Sequence, residues 1–335
     1  MSLIHVHDLS KEFVRTKEPT GRFSTIRRLF TRERVIKKAV QGVSFDIEAG
    51  ELIGYLGANG AGKSTTIKML TGILVPTSGT VEVAGVVPWQ DRKANALRIG
   101  AVFGQRTQLW TDLPLRDSLE LVRDLYGVPQ DVYGQRLAQL TELLGLAEFL
   151  DTPVRFLSLG QRMRGDLVAA LLYEPEILYL DEPTVGLDVV AKRTIREFIA
   201  AINDQLATTI MLTTHDMEDI EALCKRIIII DDGQVLFDGA LTELKRRYVT
   251  ERVLQLTPAD GINPTSITVD GTTAEVSDDG LVALRFDPRT LSAPTLMRAV
   301  TERFEVTDLS LADTPLSDVI SQIYAESAVR SRKTA

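Results

Sequence analysis

The sequence of 335 residues contains a single cysteine, Cys224, and no apolar run of the length that a membrane span needs. One cysteine cannot form an intramolecular disulfide, so the chain is not a disulfide-stabilised scaffold. A spanning helix needs about 20 apolar residues, and the charged start MSLIHVHDLSKEF lacks the apolar core of a signal peptide. We therefore expect a soluble, cytoplasmic protein that acts on a membrane from its surface or through another protein.

Net positive charge is also lacking. Lys and Arg total 38 against 46 Asp and Glu, and the formal charge of −8 argues against a protein that coats nucleic acid. The charge is uneven, because the stretch from Lys11 to Lys38 holds ten basic and three acidic residues. That stretch carries +7, which leaves −15 for the remainder. With 44% hydrophobic residues, the chain can form packed cores.

Hydrophobic periodicity predicts two domains, 1–247 and 248–335. In the first, short apolar strands alternate with helices, as in ILYL (177–180) and TIMLTT (209–214). This pattern predicts an α/β fold, with a mixed, mostly parallel sheet covered by helices on both faces. Helical periodicity over about 107–165 predicts a helical subdomain within it.

The second domain shows a different pattern, with short strand candidates separated by glycine and proline. The predicted strands include 252–257, 266–269, 274–276 and 281–286. Helices near 293–303 and from about 316 complete a small α+β domain in which we find no chemical motif. It could serve dimerisation, regulation or stabilisation.

The segment GANGAGKS follows an apolar strand and precedes a predicted helix, and it fits G-x-x-x-x-G-K-[ST] without mismatch. Glycines allow the backbone amides and the helix N-terminus to face a polyphosphate, Lys63 can reach the β- and γ-phosphates, and Ser64 can bind Mg²⁺. A glycine-rich turn with a chance lysine is the alternative. The predicted phosphate-binding residues are Gly57, Ala58, Asn59, Gly60, Ala61, Gly62, Lys63, Ser64 and Thr65.

An acidic pair, Asp181 and Glu182, ends the apolar strand ILYL. Beside a phosphate-binding loop, the first carboxylate suits Mg²⁺ and the second suits activation of the attacking water. Without such a loop, two acids after a strand would indicate a solvated turn.

Four further motifs follow the order found in one enzyme family. They are VFGQ ending at Gln105, LSLGQ (157–161), VGLD ending at Asp188, and His215 after TIMLTT. With the phosphate loop and the acidic pair, they resemble the Q-loop, signature motif, D-loop and switch histidine of the ATP-binding cassette (ABC) ATPases. The resemblance extends from Leu3 to about Leu244 and identifies the chain as an ABC transporter ATP-binding subunit.

The resemblance implies a homodimer, or a heterodimer with a similar ATPase, that binds two ATP molecules at its interface. Each ATP would lie between one subunit's phosphate loop and the other subunit's signature residues Ser158, Gly160 and Gln161. Leu159 departs from the family, which usually has glycine there. A leucine has less backbone freedom than a glycine, so this position bears on the contact between subunits.

The resemblance also implies the catalytic roles. Glu182 would be the general base, and Gln105 would join Ser64 and Asp181 at the Mg²⁺ and take part in coupling. His215 would contact the γ-phosphate and Asp188 would communicate across the dimer. Taken alone, His215 would be an ordinary polar residue at a strand end.

Phe13 resembles the aromatic residue that stacks on adenine in this family, since stacking needs only a flat ring. Ordinary packing is the alternative. The basic insert, 14–38, follows at once. Its apolar residues Phe23, Ile26, Leu29 and Phe30 have near-helical spacing, so it could form a basic amphipathic helix on an anionic membrane or against a permease, or a solvated loop.

Among the family, the chain is most similar to ATPases of ABC-2-type exporters, including multidrug and viologen exporters. We therefore expect an ATP- and Mg²⁺-dependent ATPase, peripheral to the cytoplasmic face of the inner membrane, that powers export through a separately encoded ABC-2-type permease. The alternatives are a non-transport ABC ATPase, a regulatory module without turnover, and an importer. We expect no nucleic-acid partner.

Overall fold

The computed structural model describes residues 2–16, 34–104, 106–248, 251–277, 279–312 and 315–334. They form two units, Met1–Gly239 and Ala240–Ala335. The strands of the first unit are β1 Ser2–Thr16, β2 Arg34–Glu48, β3 Leu52–Gly57, β4 Ser78–Val83, β5 Ile99–Phe103, β6 Ile177–Asp181, β7 Thr209–Thr214, β8 Arg226–Asp231 and β9 Gln234–Ala240. Its helices are α1 Lys63–Leu70, α2 Arg92–Arg98, α3 Leu115–Tyr126, α4 Gln130–Leu144, α5 Leu159–Leu171, α6 Val189–Leu206 and α7 Met217–Leu223.

A six-stranded sheet in the order β5-β6-β7-β3-β8-β9 forms the centre of this unit. From β5 to β8 the neighbouring strands are parallel. All residues of β7 are buried, as are Ile177–Leu180 of β6 and Ile227–Ile230 of β8. Apolar strands of this kind form a sheet with both faces covered, as the sequence predicted. The carboxyl ends of β3, β6 and β7 therefore lie at one edge of the sheet.

A second, antiparallel sheet in the order β2-β1-β4 shares a hydrophobic core with the first. The rings of Phe45 on β2 and Tyr55 on β3 lie 5.8 Å apart in that core. β1 and β2 continue into the basic insert, because residues 11–16 pair with 34–40. The helix considered for the insert is therefore wrong at 34–38, which belong to β2; residues 17–33 lie outside the described ranges.

The second unit contains α8 Leu241–Tyr248, β10 Arg252–Pro258, β11 Thr272–Val276, β12 Val282–Phe286, α9 Ala293–Arg303, β13 Val306–Ala312 and α10 Leu316–Thr334. Its four strands form an antiparallel sheet in the order β11-β12-β10-β13. The strand predicted at 266–269 is wrong. A 3₁₀ turn, Pro264–Ser266, includes its first residue, and among the described residues no strand pairs with the rest.

None of the helices in the described ranges combines the length and the hydrophobicity that crossing a bilayer requires.

Candidate functional site

The turn after β3 encloses the ammonium group of Lys63, at the start of α1. Lys63 Nζ donates to the carbonyl oxygens of Gly57 (2.6 Å) and Ala58 (3.3 Å), and the residue is 6% exposed. Burial lowers the pKa of Lys63, while the carboxylates of Glu182 and Asp181 act in the opposite direction. A cation at a helix N-terminus favours an anionic ligand such as a polyphosphate.

The shape of this turn depends on glycine. Gly62 has φ of +112°, and a Cβ there would lie 2.5 Å from the carbonyl oxygen of Ala39. Gly62 is also the N-cap of α1 and offers no side chain to cap the helix. The backbone amides of the first helical turn therefore remain available to a ligand.

Asp181, at the end of β6, reaches the start of α1. Its carboxylate accepts a hydrogen bond from Ser64 Oγ (3.1 Å to Oδ2) and another from Thr213 Oγ1 (2.5 Å to Oδ1). The parallel pairing of β6 with β7 brings Asp181 opposite Thr213. A hydroxyl and a carboxylate at this distance are hard oxygen ligands of the type that Mg²⁺ prefers.

Glu182 lies one residue further, where the chain leaves the sheet. Its Oε1 is 3.3 Å from His215 Nδ1. Its backbone N–H donates to the carbonyl oxygen of Thr213 (2.9 Å), which ties Glu182 to the end of β7. Glu182 has φ of +55°, and Gly104 packs so closely that a Cβ there would lie 2.2 Å from the Glu182 carbonyl oxygen. The backbone of Glu182 is therefore fixed from two sides, which restricts the positions that its carboxylate can take.

Phe13 and Lys37 form one wall of the depression above the phosphate loop. This depression of about 290 Å³ is lined by Phe13, Lys37, Ala39, Asn59, Gly60, Gly62, Lys63, Ser64, Thr65 and Glu182. Phe13 and Lys37 are direct partners in the β1–β2 pairing, so their side chains lie on the same face. The ring is thus placed where a base attached to a bound polyphosphate could stack on it.

The signature residues lie in a second depression of about 520 Å³. Ser158 is the N-cap of α5 and forms a capping box with Gln161: its Oγ accepts from Gln161 N (3.2 Å), and Gln161 Oε1 accepts from Ser158 N (2.9 Å). Asp188 caps α6 by accepting from Ala191 N (2.8 Å). Both caps, with Leu159 and Gly160, line this depression.

The predicted site residues thus fall into two groups. Phe13, Glu182 and six phosphate-loop residues (Asn59, Gly60, Gly62, Lys63, Ser64 and Thr65) line the first depression, whereas Gly57, Ala58 and Ala61 do not. Asp181 and His215 contact that group through Ser64 and Glu182. Ser158, Gly160, Gln161 and Asp188 line the second. Among the described residues, none lines both depressions. Gln105 lies outside the described residues.

Two residues near these groups were missed by the sequence analysis. Lys37 was counted only as part of the basic stretch, although its pairing with Phe13 would have placed it at the depression. Asp166, on α5, is 4% exposed and accepts from Thr107 Oγ1 (2.9 Å) and Gln108 N (3.0 Å). Burial raises the pKa of Asp166 to about 6, although these two hydrogen bonds act in the opposite direction. Through these two hydrogen bonds, Asp166 holds the segment after residue 105 to α5.

Comparison with known proteins decides the family. A family model described as "ABC transporter" matches residues 40–185. The chain is 35% identical over 225 residues to the ABC transporter ATP-binding protein NatA of Bacillus subtilis (strain 168), which covers 67% of this chain and 90% of NatA. The chain belongs to the ABC transporter ATP-binding family. This membership confirms the predicted fold class and the predicted ATPase activity.

Other ABC relatives align over more of the chain. The daunorubicin resistance ATP-binding protein DrrA3 of Streptomyces coeruleorubidus is 34% identical over 292 residues, 84% of this chain and 90% of DrrA3. The methionine import ATP-binding protein MetN of Latilactobacillus sakei subsp. sakei (strain 23K) is 31% identical over 309 residues, 88% of this chain and 87% of MetN. A solved ATP-binding subunit of an ABC transporter superposes with a TM-score of 0.60 at 27% identity, covering 74% of this chain and 93% of that one.

Proposed function

We propose that this ATPase powers export of a substrate through a separately encoded ABC-2-type permease. It works as a dimer, bound at the cytoplasmic face of the membrane, that closes on ATP and is reset by hydrolysis. The observation that carries the proposal is the convergence of Lys63, Ser64, Asp181 and Glu182 at one edge of the sheet. The name of DrrA3, a drug-resistance protein, supports the direction of transport.

In the proposed reaction, the phosphate loop binds the polyphosphate through its amides and Lys63. The Glu182 carboxylate orients a water molecule and accepts its proton as the water oxygen bonds to the γ-phosphorus. The bond from that phosphorus to the β–γ bridging oxygen breaks, and ADP leaves with the electron pair. His215, whose Nδ1 lies 3.3 Å from Glu182 Oε1, is proposed to donate a hydrogen bond to the γ-phosphate. Gln105 is proposed to act beside them.

The oxygens of Ser64 and Asp181 fit a divalent cation. They lie 3.1 Å apart at the start of α1, next to the loop that would hold the phosphates. When bound, Mg²⁺ would neutralise phosphate charge and orient the transferred group. The two side chains would supply protein ligands, and the nucleotide would supply others.

The dimer is supported by the separation of the two depressions. The phosphate loop and the signature residues line two depressions that share no lining residue among the described residues, and in the proposal an ATP that contacts both lies between two copies. In a head-to-tail pair, Ser158 of one copy faces the phosphate loop of the other. Because Ser158 Oγ acts as an acceptor in its helix cap, its hydroxyl hydrogen remains available to a phosphate oxygen.

Exposed apolar side chains on the helical region support a permease contact there. Trp110, Leu125 and Phe156 are exposed by 43%, 74% and 68%. Trp110 lies close after residue 105, so a permease contact at this position could be relayed to the nucleotide. Large exposed side chains of this type are common anchors at protein interfaces.

The test is reconstitution with the candidate permease in vesicles that have a fluorescent drug at equal concentration on both sides of the membrane. Export predicts ATP-dependent movement of the drug from the ATPase side to the opposite side, and no movement with the Glu182→Gln variant. A wild-type chain that hydrolyses ATP but neither binds nor responds to any ABC-2-type permease would contradict the proposal.

Import is a second candidate, favoured by the alignment with MetN over 88% of this chain. The same vesicle assay separates the two directions, because import moves substrate toward the ATPase side. The relatives named for resistance and import do not favour a non-transport ABC ATPase.

A further inference from the structure

Asp219, on α7, is a fully buried acid that no part of the proposed reaction uses. It is 0% exposed, although it lies on a short helix close to the protein surface. Burial of a carboxylate is costly unless hydrogen bonds and an opposite charge compensate for it. The groups that surround Asp219 therefore indicate what it does.

Two hydroxyl groups point at the same oxygen of Asp219. Thr184 Oγ1 and Thr214 Oγ1 both donate to Asp219 Oδ2, the second at 3.1 Å. An ionised carboxylate is an acceptor only, so both threonines must be the donors. Thr184 follows Glu182 by two residues and Thr214 immediately precedes His215. One carboxylate oxygen thus joins the two chain segments that carry Glu182 and His215.

The second oxygen of Asp219 is bonded to a cation. Arg196 Nε, on α6, donates to Asp219 Oδ1, and the Arg196 side chain is largely buried. Arg196 also contacts Glu218 Oε2 at 3.2 Å. Thr214 Oγ1 in turn accepts from Asp216 N (2.9 Å), which fixes the backbone on the far side of His215. The segment around His215 is therefore held by side-chain bonds on both sides.

We propose that Asp219 is a positioning residue for ATP hydrolysis: it fixes the distance between Glu182 and His215. The proposal rests on the catalytic roles proposed for those two residues. Asp219 is fully buried, so its proposed action is through Thr184 and Thr214. A misplacement of about 1 Å in a catalytic group can lower a rate by about 100-fold. Loss of the hydrogen bonds from Thr184 and Thr214 to Asp219 should therefore lower turnover more than it weakens ATP binding.

The first test compares Asp219→Asn with Glu218→Gln. Both substitutions remove one negative charge next to Arg196, but only Asp219 bonds Thr184 and Thr214. We expect kcat to fall about 10- to 100-fold in Asp219→Asn, with the Kd for ATP within about twofold of wild type. Glu218→Gln should keep both values within about twofold.

The second test avoids disturbing the buried charge. Thr184→Val removes the hydroxyl at nearly constant volume, and Thr184→Ser keeps it. We expect a lower kcat in the valine variant and recovery in the serine variant, while thermal unfolding shows that both are folded. Equal kcat in all three chains would overturn the proposal, as would a loss in the valine variant that serine does not rescue.

The Glu182→Gln variant distinguishes failure of this inference from failure of the proposed function. If that variant still hydrolyses ATP normally, Glu182 is not the base and the proposed chemistry fails. If it is inactive while the Asp219 and Thr184 variants turn over at the wild-type rate, only the positioning role is wrong.

Discussion

The two depressions of the first unit differ in the kind of group that they present. The depression above the phosphate loop contains a buried ammonium group and an acid, with a second acid and a histidine beside it. The signature depression presents helix starts, and its acid, Asp188, is engaged in capping α6. The first depression therefore presents the groups to which the proposal assigns hydrolysis, and the second presents groups suited to binding an anion. In the proposed dimer, one complete site combines the two depressions from different copies.

The largest expected effect is that of Glu182→Gln, which tests whether the first depression holds the chemistry. Loss of a general base lowers a rate by about 10²- to 10⁴-fold. ATP binding should persist because Lys63 and the loop amides are unchanged, and closed dimers should accumulate. Steady-state ATPase rates and size-exclusion chromatography with ATP measure the two effects.

The matched control is Glu176→Gln, at the other end of β6, where the acid pairs with Arg98 on the surface. It should hydrolyse ATP at close to the wild-type rate. A normal rate in Glu182→Gln would show that the chemistry of this depression has been misassigned.

A complementation experiment tests whether the two depressions act across copies. Lys63→Ala disables the first, and Ser158→Asp disables the second by placing a negative charge opposite phosphate, while aspartate still caps α5. Each variant alone should be inactive. A 1:1 mixture should recover up to about one quarter of the wild-type ATPase rate, because half of the dimers are mixed and each has one intact site.

The control is one chain that carries both substitutions, mixed with wild type. Its mixed dimers have no intact composite site, so they should contribute no activity. Absence of recovery in the mixture of single variants, with mixed dimers demonstrated, would mean that the depressions do not combine across copies.

Asp166 lies on α5, the helix that begins at the signature residues, and it gives a test based on pH. Its pKa is raised from 3.8 to about 6 by burial, so the folded chain binds a proton more tightly than the unfolded chain. Its contribution to stability is therefore greatest below pH 4 and falls as pH rises to about 6. This pH dependence should be absent in Asp166→Asn. The difference between the two chains in free energy of unfolding should therefore change by about 2–3 kcal/mol between about pH 4 and pH 7.

Urea unfolding at several pH values measures this difference. Both hydrogen bonds to the Asp166 carboxylate end on Oδ1, an atom that asparagine retains. Asp131→Asn, at an exposed site on α4, serves as the control. If the free energy of unfolding of wild type and of Asp166→Asn changed with pH in the same way, burial would not raise the pKa of Asp166 as described.

The smallest expected effect concerns Lys37 in the first depression. We expect Lys37→Ala to weaken ATP binding about three- to tenfold, the range of an exposed charge contact with a multiply charged ligand. Lys38 lies on the opposite face of β2, opposite Glu12, so Lys38→Ala should change the Kd by less than about twofold. If the two variants changed the Kd for ATP equally, Lys37 would act only through the net charge of the protein and not through a contact in the depression.

Much of the first unit could be predicted because its signals are local. Short apolar runs identify the strands around Tyr55 and Leu180, and the glycine spacing of the phosphate loop has a direct geometric meaning. The resemblance then supplied His215 and Ser158, which no local pattern would have distinguished from ordinary polar residues.

The rest depends on tertiary contacts. Residues 267–269 alternate buried and exposed side chains as a strand does, with Ile267 buried, but no neighbouring strand among the described residues supplies a hydrogen-bonding partner. The extended β1–β2 pairing was missed because basic residues there suggested a helix or loop. Asp166 and Asp219 look like surface acids in the sequence, since burial of a charge is set by residues distant along the chain.

The positive φ of Glu182 has an evolutionary consequence. A left-handed backbone costs a residue with a Cβ roughly 1 kcal/mol, a strain that glycine would relieve. Selection for thermal resistance and selection for turnover would therefore favour different residues at this one codon. If Glu182 is the general base proposed above, a library screened only for heat tolerance would accumulate inactive chains here, and a screen for ATP hydrolysis would retain the strained glutamate.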